Sequence, residues 1–264
     1  MTDPSVIVEK RGATMWLTLN RPAALNSMSD ALAEELGRAI DSAEGDPDVR
    51  VCVITGSGRA FCAGADLVEI GAVAGDPEFA QRLGAFLVRL GRILERIETS
   101  RLPIVAAVNG AALAGGIELV LCCDIVIASQ SATFGDAHAN YGLLPGGGAT
   151  VRLTRKIGDA RTRYLMLTGA TVSADEMQRA GLVAQVVPAE SLADRAQEIA
   201  DTLAGRSRPG LAAMKRLILA SHDMSREAGL REELDALAVH ATSADIVEGL
   251  AAFRDRRRPQ FTDL

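Results

Sequence analysis

The sequence predicts an α/β protein: a layered domain with partly parallel strands, followed by a helical C-terminal region. Three observations carry that expectation. Through the first half, short runs rich in β-formers alternate with segments of helical period. Beyond residues 183–187 nearly all the signal is helical. The chain has 264 residues, 48% hydrophobic and 23% charged, which is enough to bury a substantial core and excludes disorder as the main state.

Residues 5–10 and 14–19 read as a strand pair, with Arg11-Gly12 as the turn between them. Asn20-Arg21-Pro22 breaks the pattern. Ser29-Asp30 opens a helix to about residue 44, with Leu32, Leu36, Ala39 and Ile40 on its apolar face. Gly45-Asp46-Pro47 ends it. Residues 49–55 form a compact apolar run that stops at Gly56-Ser57-Gly58, as a strand buried on both faces would. Asp76-Pro77 starts a long helix striped by Leu83, Phe86, Leu87, Leu90, Ile93, Leu94 and Ile97. Residues 103–108 are a further buried strand, 110–116 a loop of small residues, 117–123 a helix and 125–128 a strand. Amphipathic helices are expected near 189–204, 210–221, 226–241 and 244–253.

Composition narrows the function classes. The 28 Lys and Arg against 34 Asp and Glu give a net charge of −6, without the basic footprint of a nucleic-acid binder. Aromatic residues are only 3%, too few for a base-stacking surface. The four cysteines lack zinc-ligand spacing and read as small buried side chains of a reducing, cytoplasmic protein. Met1-Thr2-Asp3-Pro4 lacks the pattern of a secretory leader, and no run reaches the ~18 apolar residues of a membrane span. His138, His222 and His240 are too few for a histidine-rich metal site, so no metal is expected. Gly56-Ser57-Gly58, Ala114-Gly115-Gly116 and Gly146-Gly147-Gly148 each lack the residues that complete a nucleotide loop.

Two loops are chemically suggestive. Phe61-Cys62-Ala63-Gly64-Ala65-Asp66 runs from a buried-looking strand into small residues that leave backbone N–H groups approachable. Asn109-Gly110-Ala111-Ala112-Leu113-Ala114-Gly115-Gly116-Ile117-Glu118 enters a helix whose first N–H groups are unpaired and partly positive. Aimed at a carbonyl oxygen, such groups stabilise developing negative charge. Glu118 lies in the first turn, where a carboxylate also suits the helix dipole without any catalytic role.

With Asn20-Arg21-Pro22, Leu25-Asn26, Cys123-Asp124-Ile125, Phe134-Gly135 and Gly142-Leu143-Leu144-Pro145-Gly146, these loops resemble the crotonase superfamily, the enoyl-CoA hydratases and isomerases. The resemblance runs in order over nearly the whole chain, through Leu167-Thr168-Gly169 and Ala180-Gly181-Leu182-Val183. It implies a crotonase-like spiral of ββα units over residues 1–190 and a helical C-terminal trimerisation region over 191–264. It also implies a homotrimer or hexamer acting on an acyl-CoA thioester, with no cofactor beyond the coenzyme A of the substrate; composition alone leads to the expectation of neither nucleic acid nor membrane as partner. The thioester carbonyl would lie between the N–H groups of Ala65 and Gly115, and substrate contacts map to Ala24, Leu25, Ala63, Asp66, Leu67, Gly116 and Asp136. Hydratase is the first expectation, with Glu118 as acid/base. A double-bond isomerase using one base and a catalytically weak acyl-CoA-binding homologue are the alternatives.

One position departs from the family. Its hydratases carry a second glutamate twenty positions after the first, where this chain has His138. A histidine also exchanges protons near neutral pH, so His138 is a candidate acid/base with Asp136 beside it; a non-catalytic pocket residue is the alternative. The run Arg254-Asp255-Arg256-Arg257-Arg258 reads either as a solvated tail or as a basic patch for the phosphates of coenzyme A.

Overall fold

Ten strands form two sheets among the described residues, 3–72 and 74–262, of the computed structural model. Met1 and Thr2, part of the segment read as lacking a leader pattern, lie outside the described residues. In chain order the strands are β1 (Val6–Arg11), β2 (Thr14–Leu19), β3 (Val51–Gly56), β4 (Ala60–Cys62), β5 (Ile104–Val108), β6 (Ala111–Leu113), β7 (Ile125–Ser129), β8 (Thr133–Gly135), β9 (Val172–Ser173) and β10 (Gln185–Val187). The large sheet has the order β1-β2-β3-β5-β7-β10, with β1 antiparallel to β2 and every other pair parallel. The small sheet has the order β4-β6-β8-β9, parallel from β4 to β8 and antiparallel at β9. The pairs β3/β4, β5/β6 and β7/β8 each put one strand into each sheet, so the chain winds as a spiral of ββα units.

Alternation along the central strands explains their all-apolar sequences. Cys52 and Ile54 of β3, with Ile104, Ala106 and Val108 of β5, face the main core. Val51, Val53, Val105 and Ala107 face the opposite way, onto a second cluster. That second cluster is closed by Leu192, Ala196 and Ala200 of a helix outside the sheet.

The helices expected from their caps and stripes are present. α1 (Asp30–Gly45) is capped by Ser29, whose hydroxyl accepts from Leu32 N–H at 3.2 Å. α2 (Leu67–Ala72) is short, and α3 (Phe79–Thr99) buries Phe86, Leu90, Leu94 and Ile97. α4 is Gly115–Leu121. The segment expected as one loop over 110–116 instead contains β6 and the start of α4; a strand of three residues carries no periodicity by which it is recognised. α5 (Ala149–Ile157), α6 (Asp159–Thr168) and α7 (Ala174–Arg179) complete the core and were not anticipated.

The C-terminal helices are α8 (Leu192–Ala204), which covers the large sheet, α9 (Arg208–Ser221), α10 (Arg226–His240) and α11 (Ala244–Arg254). Among the described residues no single helix is long and apolar enough to cross a membrane. Lys215 pins α9 to the core: its Nζ donates to Asp124 Oδ2 at 2.7 Å, Leu102 O at 3.2 Å and Ile97 O at 3.3 Å. Asp124 Oδ2 also accepts from Ile104 N–H at 2.7 Å, so one carboxylate ties a helix to a central strand. The Lys215 side chain is 11% exposed. Removing one partner of a buried pair strands the other charge, at a cost of about 3–5 kcal/mol. Lys215→Met is expected to lower unfolding stability by about 3 kcal/mol, at the low end because Asp124 keeps some water contact. Urea unfolding measures this, and a change under about 0.5 kcal/mol would refute the pinning role.

Candidate active site

Three strands of the small sheet end side by side, and the residues singled out in the sequence leave from those ends. The C-terminal end of β4 leads to Ala63–Asp66, that of β6 to Ala114 and Gly115, and that of β8 to Asp136 and His138. Parallel pairing of β4, β6 and β8 is therefore what brings these distant stretches of chain together.

The first two ends supply backbone donors. Met28 pairs with Ala65 as an isolated parallel bridge: Met28 N–H donates to Gly64 O at 2.7 Å and Asp66 N–H to Met28 O at 3.1 Å. In that pattern the N–H of Ala65 itself points away from residue 28. Gly115 is the first residue of α4, so its N–H has no acceptor inside the helix. The turn that aims it is strained, because Ala114 sits at φ 48° and ψ −118°. A Cβ on Gly115 would lie 3.4 Å from the Ala65 nitrogen, so the two N–H groups flank one small space.

Glu118 stands one helical turn further on and is 2% exposed. Its Oε1 accepts from Gly147 N–H at 2.7 Å and Ala149 N–H at 3.1 Å. Among the described residues no hydrogen bond reaches Oε2, which leaves that oxygen for proton exchange. Burial raises the Glu118 pKa above the ordinary carboxylate value. The Ala149 and Gly147 N–H groups and the charge of His138 pull it back only in part, and Asp136 adds to the rise.

His138 starts a single 3₁₀ turn (His138–Tyr141) after β8. Its Nδ1 lies 3.1 Å from Asp136 Oδ1, and its side chain is 11% exposed against 2% for Asp136. Burial works to lower the His138 pKa. The Asp136 hydrogen bond and the charges of Asp136 and Glu118 outweigh it, so imidazolium persists above the usual pH. The structure thus groups Glu118, His138 and Asp136 so closely that their charges act on one another.

The other residues singled out in the sequence fall into two sets. Ala24, Leu25 and Ala63 form a half-buried rim beside Ala65, joined by an Ala63 N–H bond to Leu25 O at 3.0 Å, with Leu67 exposed next to it. Asp66 and Gly116 are committed to the fold. Asp66 Oδ1 accepts from Val68 and Glu69 N–H, starting α2, and its Oδ2 takes Arg21 at 2.8 Å and Ser27 Oγ at 3.1 Å. A Cβ on Gly116 would lie 1.9 Å from Cys62 O, so glycine is what lets α4 approach β4. In the arginine run, Arg257 is occupied by Glu248 at 2.6 and 2.8 Å and Arg254 by Asp255 at 2.9 Å. The four cysteines are buried and free; burial pushes the Cys52 and Cys122 thiols up to about 12 and Cys62 up to about 11.

Sequence reasoning missed Gly147 and Ala149, which hold Glu118, and Arg152 behind them. The Gly146-Gly147-Gly148 run is the sequence signal for them, although it lacks the residues that complete a phosphate loop. Among the described residues no three His, Cys, Asp or Glu side chains cluster as a metal would require.

Residues 9–264 match the family description enoyl-CoA hydratase/isomerase. A Mycobacterium bovis protein described as a probable enoyl-CoA hydratase is 38% identical over 262 residues, covering 99% of this chain and 99% of its own. The 2,3-dehydroadipyl-CoA hydratase of Escherichia coli is 36% identical over 256 residues, 97% of this chain and 98% of that one. A crystal structure of enoyl-CoA hydratase from Bacillus anthracis superposes with a TM-score of 0.93 at 35% identity, over 98% of this chain and 100% of that chain. Sequence and two-sheet spiral agree from end to end, and the chain belongs to the enoyl-CoA hydratase/isomerase family.

Proposed function

We propose that the protein is an enoyl-CoA hydratase that adds water across the double bond of a 2-enoyl thioester with Glu118 and His138 as its acid/base pair. The observation that carries this reading is the grouping of the unbonded Oε2 of Glu118 with an Asp136-supported His138 near the N–H groups of Ala65 and Gly115. Glu118 carboxylate takes a proton from water as the water oxygen bonds to C3. The electron pair of the C2–C3 bond moves toward the thioester, and the two N–H groups receive the charge on its oxygen. His138 imidazolium then gives a proton to C2. Return of the proton from Glu118 to His138, directly or through solvent, resets the pair. Coenzyme A enters as part of the substrate, and the steps need no other cofactor.

An isomerase needs only one base moving a proton between two carbons, and a second buried proton-exchanging group is superfluous to it. We also propose that the subunits assemble as trimers or hexamers. Leu230, Leu234, Leu237, Val247, Leu250 and Phe253 of α10 and α11 are all more than half exposed, an apolar surface that a second copy of the chain would cover.

Mass spectrometry of a short 2-enoyl-CoA incubated with the protein is expected to find the 3-hydroxyacyl-CoA, heavier by one water. Glu118→Gln is expected to reduce kcat by at least about 10². A product of unchanged mass would favour the isomerase, and wild-type turnover in a folded Glu118→Gln variant would remove Glu118 from the mechanism.

Gly115→Val tests the donors. Its Cβ fits at ordinary contact distance, 3.4 Å from both the Ala65 nitrogen and Gly64 Cα, but the γ-methyls enter the space between the two N–H groups. The expected result is a native circular-dichroism spectrum with kcat/KM down by about 10²–10³. Normal turnover would show that the thioester lies elsewhere.

The pH profile tests the pair. Hydration requires Glu118 ionised and His138 protonated, and both pKa values are raised. The acid limb is expected above the range of an ordinary carboxylate and the alkaline limb above that of a free imidazole. Asp136→Asn removes the partner that raises His138 and a charge that repels Glu118, so both limbs are expected to move to lower pH. In His138→Ala the alkaline limb should disappear. Its survival there, unchanged, would exclude His138 from proton transfer.

A further inference from the structure

We propose that Arg152, held by Glu98, is a positioning residue that clamps the Gly147 peptide and thereby fixes the orientation of the Glu118 carboxylate. The inference rests on the reading of Glu118 as the base. The loop that holds Glu118 is intrinsically weak. Gly146-Gly147-Gly148 has three consecutive residues without side chains, the most freely moving backbone a chain can offer. Yet this loop supplies a hydrogen bond on which the buried carboxylate depends, from Gly147 N–H at 2.7 Å.

Glycine cannot be replaced at the critical position. A Cβ on residue 147 would lie 2.5 Å from Glu118 Oε2 and 2.7 Å from Leu94 Cδ1. Gly148 has φ +98°, a conformation other residues rarely adopt. The rigidity therefore has to come from outside the loop, and Arg152 supplies it. Its Nη1 donates to Gly147 O at 2.6 Å, from the first turn of the helix that this loop opens. Its Nε lies 3.0 Å from both oxygens of Glu98, and its Nη2 donates to Glu98 Oε2 at 2.6 Å. Glu98 stands in the last turn of α3, so the guanidinium ties the loop to the longest helix of the core. Side-chain exposures of 18% and 21% make the pair mostly dry and well fixed.

The chain of contacts is continuous. Glu98 fixes Arg152, Arg152 fixes the carbonyl of Gly147, and the nitrogen of the same residue holds Glu118 Oε1. With Oε1 held, Oε2 has one orientation in which to take a proton. Lysine cannot substitute, because its single ammonium cannot span a bidentate carboxylate and a backbone carbonyl in the fixed fork of a guanidinium. The titratable and charged groups that face Glu118 are Asp136 and His138 after β8, Arg152 of α5 and the Cys122 thiol beyond its own helix.

Three variants of the full chain test the clamp: Arg152→Lys, Arg152→Gln, and Arg152→Gln combined with Glu98→Gln, which leaves no orphan carboxylate. Each is expected to lower kcat by roughly 10- to 100-fold, the effect of letting a reacting group drift by about 1 Å. KM should stay within about twofold, since the interaction serves the chemical step. The acid limb of the kcat profile should move to higher pH in all three, because Glu118 loses a held N–H donor, and further in the two Gln variants, which also remove a nearby cation. Infrared titration of the Glu118 carboxylate, with Glu118→Gln as the blank, should move the same way without relying on turnover. Wild-type kcat in Arg152→Lys, or an unmoved infrared titration in all three variants, would overturn the clamp. So would a loss of activity that only follows the folded fraction measured by circular dichroism. Turnover retained by Glu118→Gln would instead overturn the acid/base reading, with the infrared result still deciding the clamp.

Discussion

A single buried carboxylate sets the demands that the site meets. Removing an ion such as Glu118 from water costs several kcal/mol even after the protein relaxes. The two backbone donors on Oε1 offset about 1.5–3 kcal/mol each, as bonds to a charged acceptor do. The first turn of α4 adds about 0.3–1 kcal/mol through its dipole. These contributions come near the cost without exceeding it, and the raised pKa of Glu118 is the residue of that balance. Such a group is easier to protonate than a surface glutamate, a direction that suits proton exchange.

The same balance accounts for the neighbours. His138 is buried enough that it would tend to neutrality on its own, and Asp136 is what keeps a proton on it. A cation beside Glu118 eases ionisation of the glutamate, whereas a second carboxylate in that place would raise its pKa further. On the proposed reading, a histidine where the family resemblance implies a glutamate changes the charge of the pair while keeping two groups able to exchange protons. Asp136 compensates by adding a negative charge one step removed.

Geometry comes from the small sheet. β4, β6 and β8 have only three residues each, and their parallel pairing delivers Ala65, Gly115 and His138 to one end. Ligands of parallel α/β sheets gather at the carboxyl ends of strands for the same reason: side chains and helix starts leave the sheet there. The strained Ala114, at φ 48°, turns the chain so that the Gly115 N–H flanks the same space as Ala65. Strain of about 1–3 kcal/mol persists at Ala114 because its surroundings over-determine it: α4 is buried throughout, and the Ala114 N–H is held by Gly135 O at 3.0 Å.

The sequence by itself determined what repeats or terminates. The cap at Ser29, the stripe from Leu83 to Ile97 and the apolar runs of β3 and β5 have periods long enough to read, and they place the major layers. The two small-residue loops and Glu118 were legible because backbone exposure and helix entry are local properties. Tertiary structure decided the rest. Strands of three residues, such as Ala111–Leu113, carry no period, so the small sheet exists only through its pairing. Asp66 reads locally as a substrate contact, and only the fold shows that its side chain is held by Arg21 and Ser27, thirty-nine and more residues away in the chain. The glycine run at 146–148 carries no ligand motif, and its service to Glu118 lies in a contact spanning 29 residues. Local chemistry is written in the order of residues, but which groups share a buried charge depends on how the spiral closes.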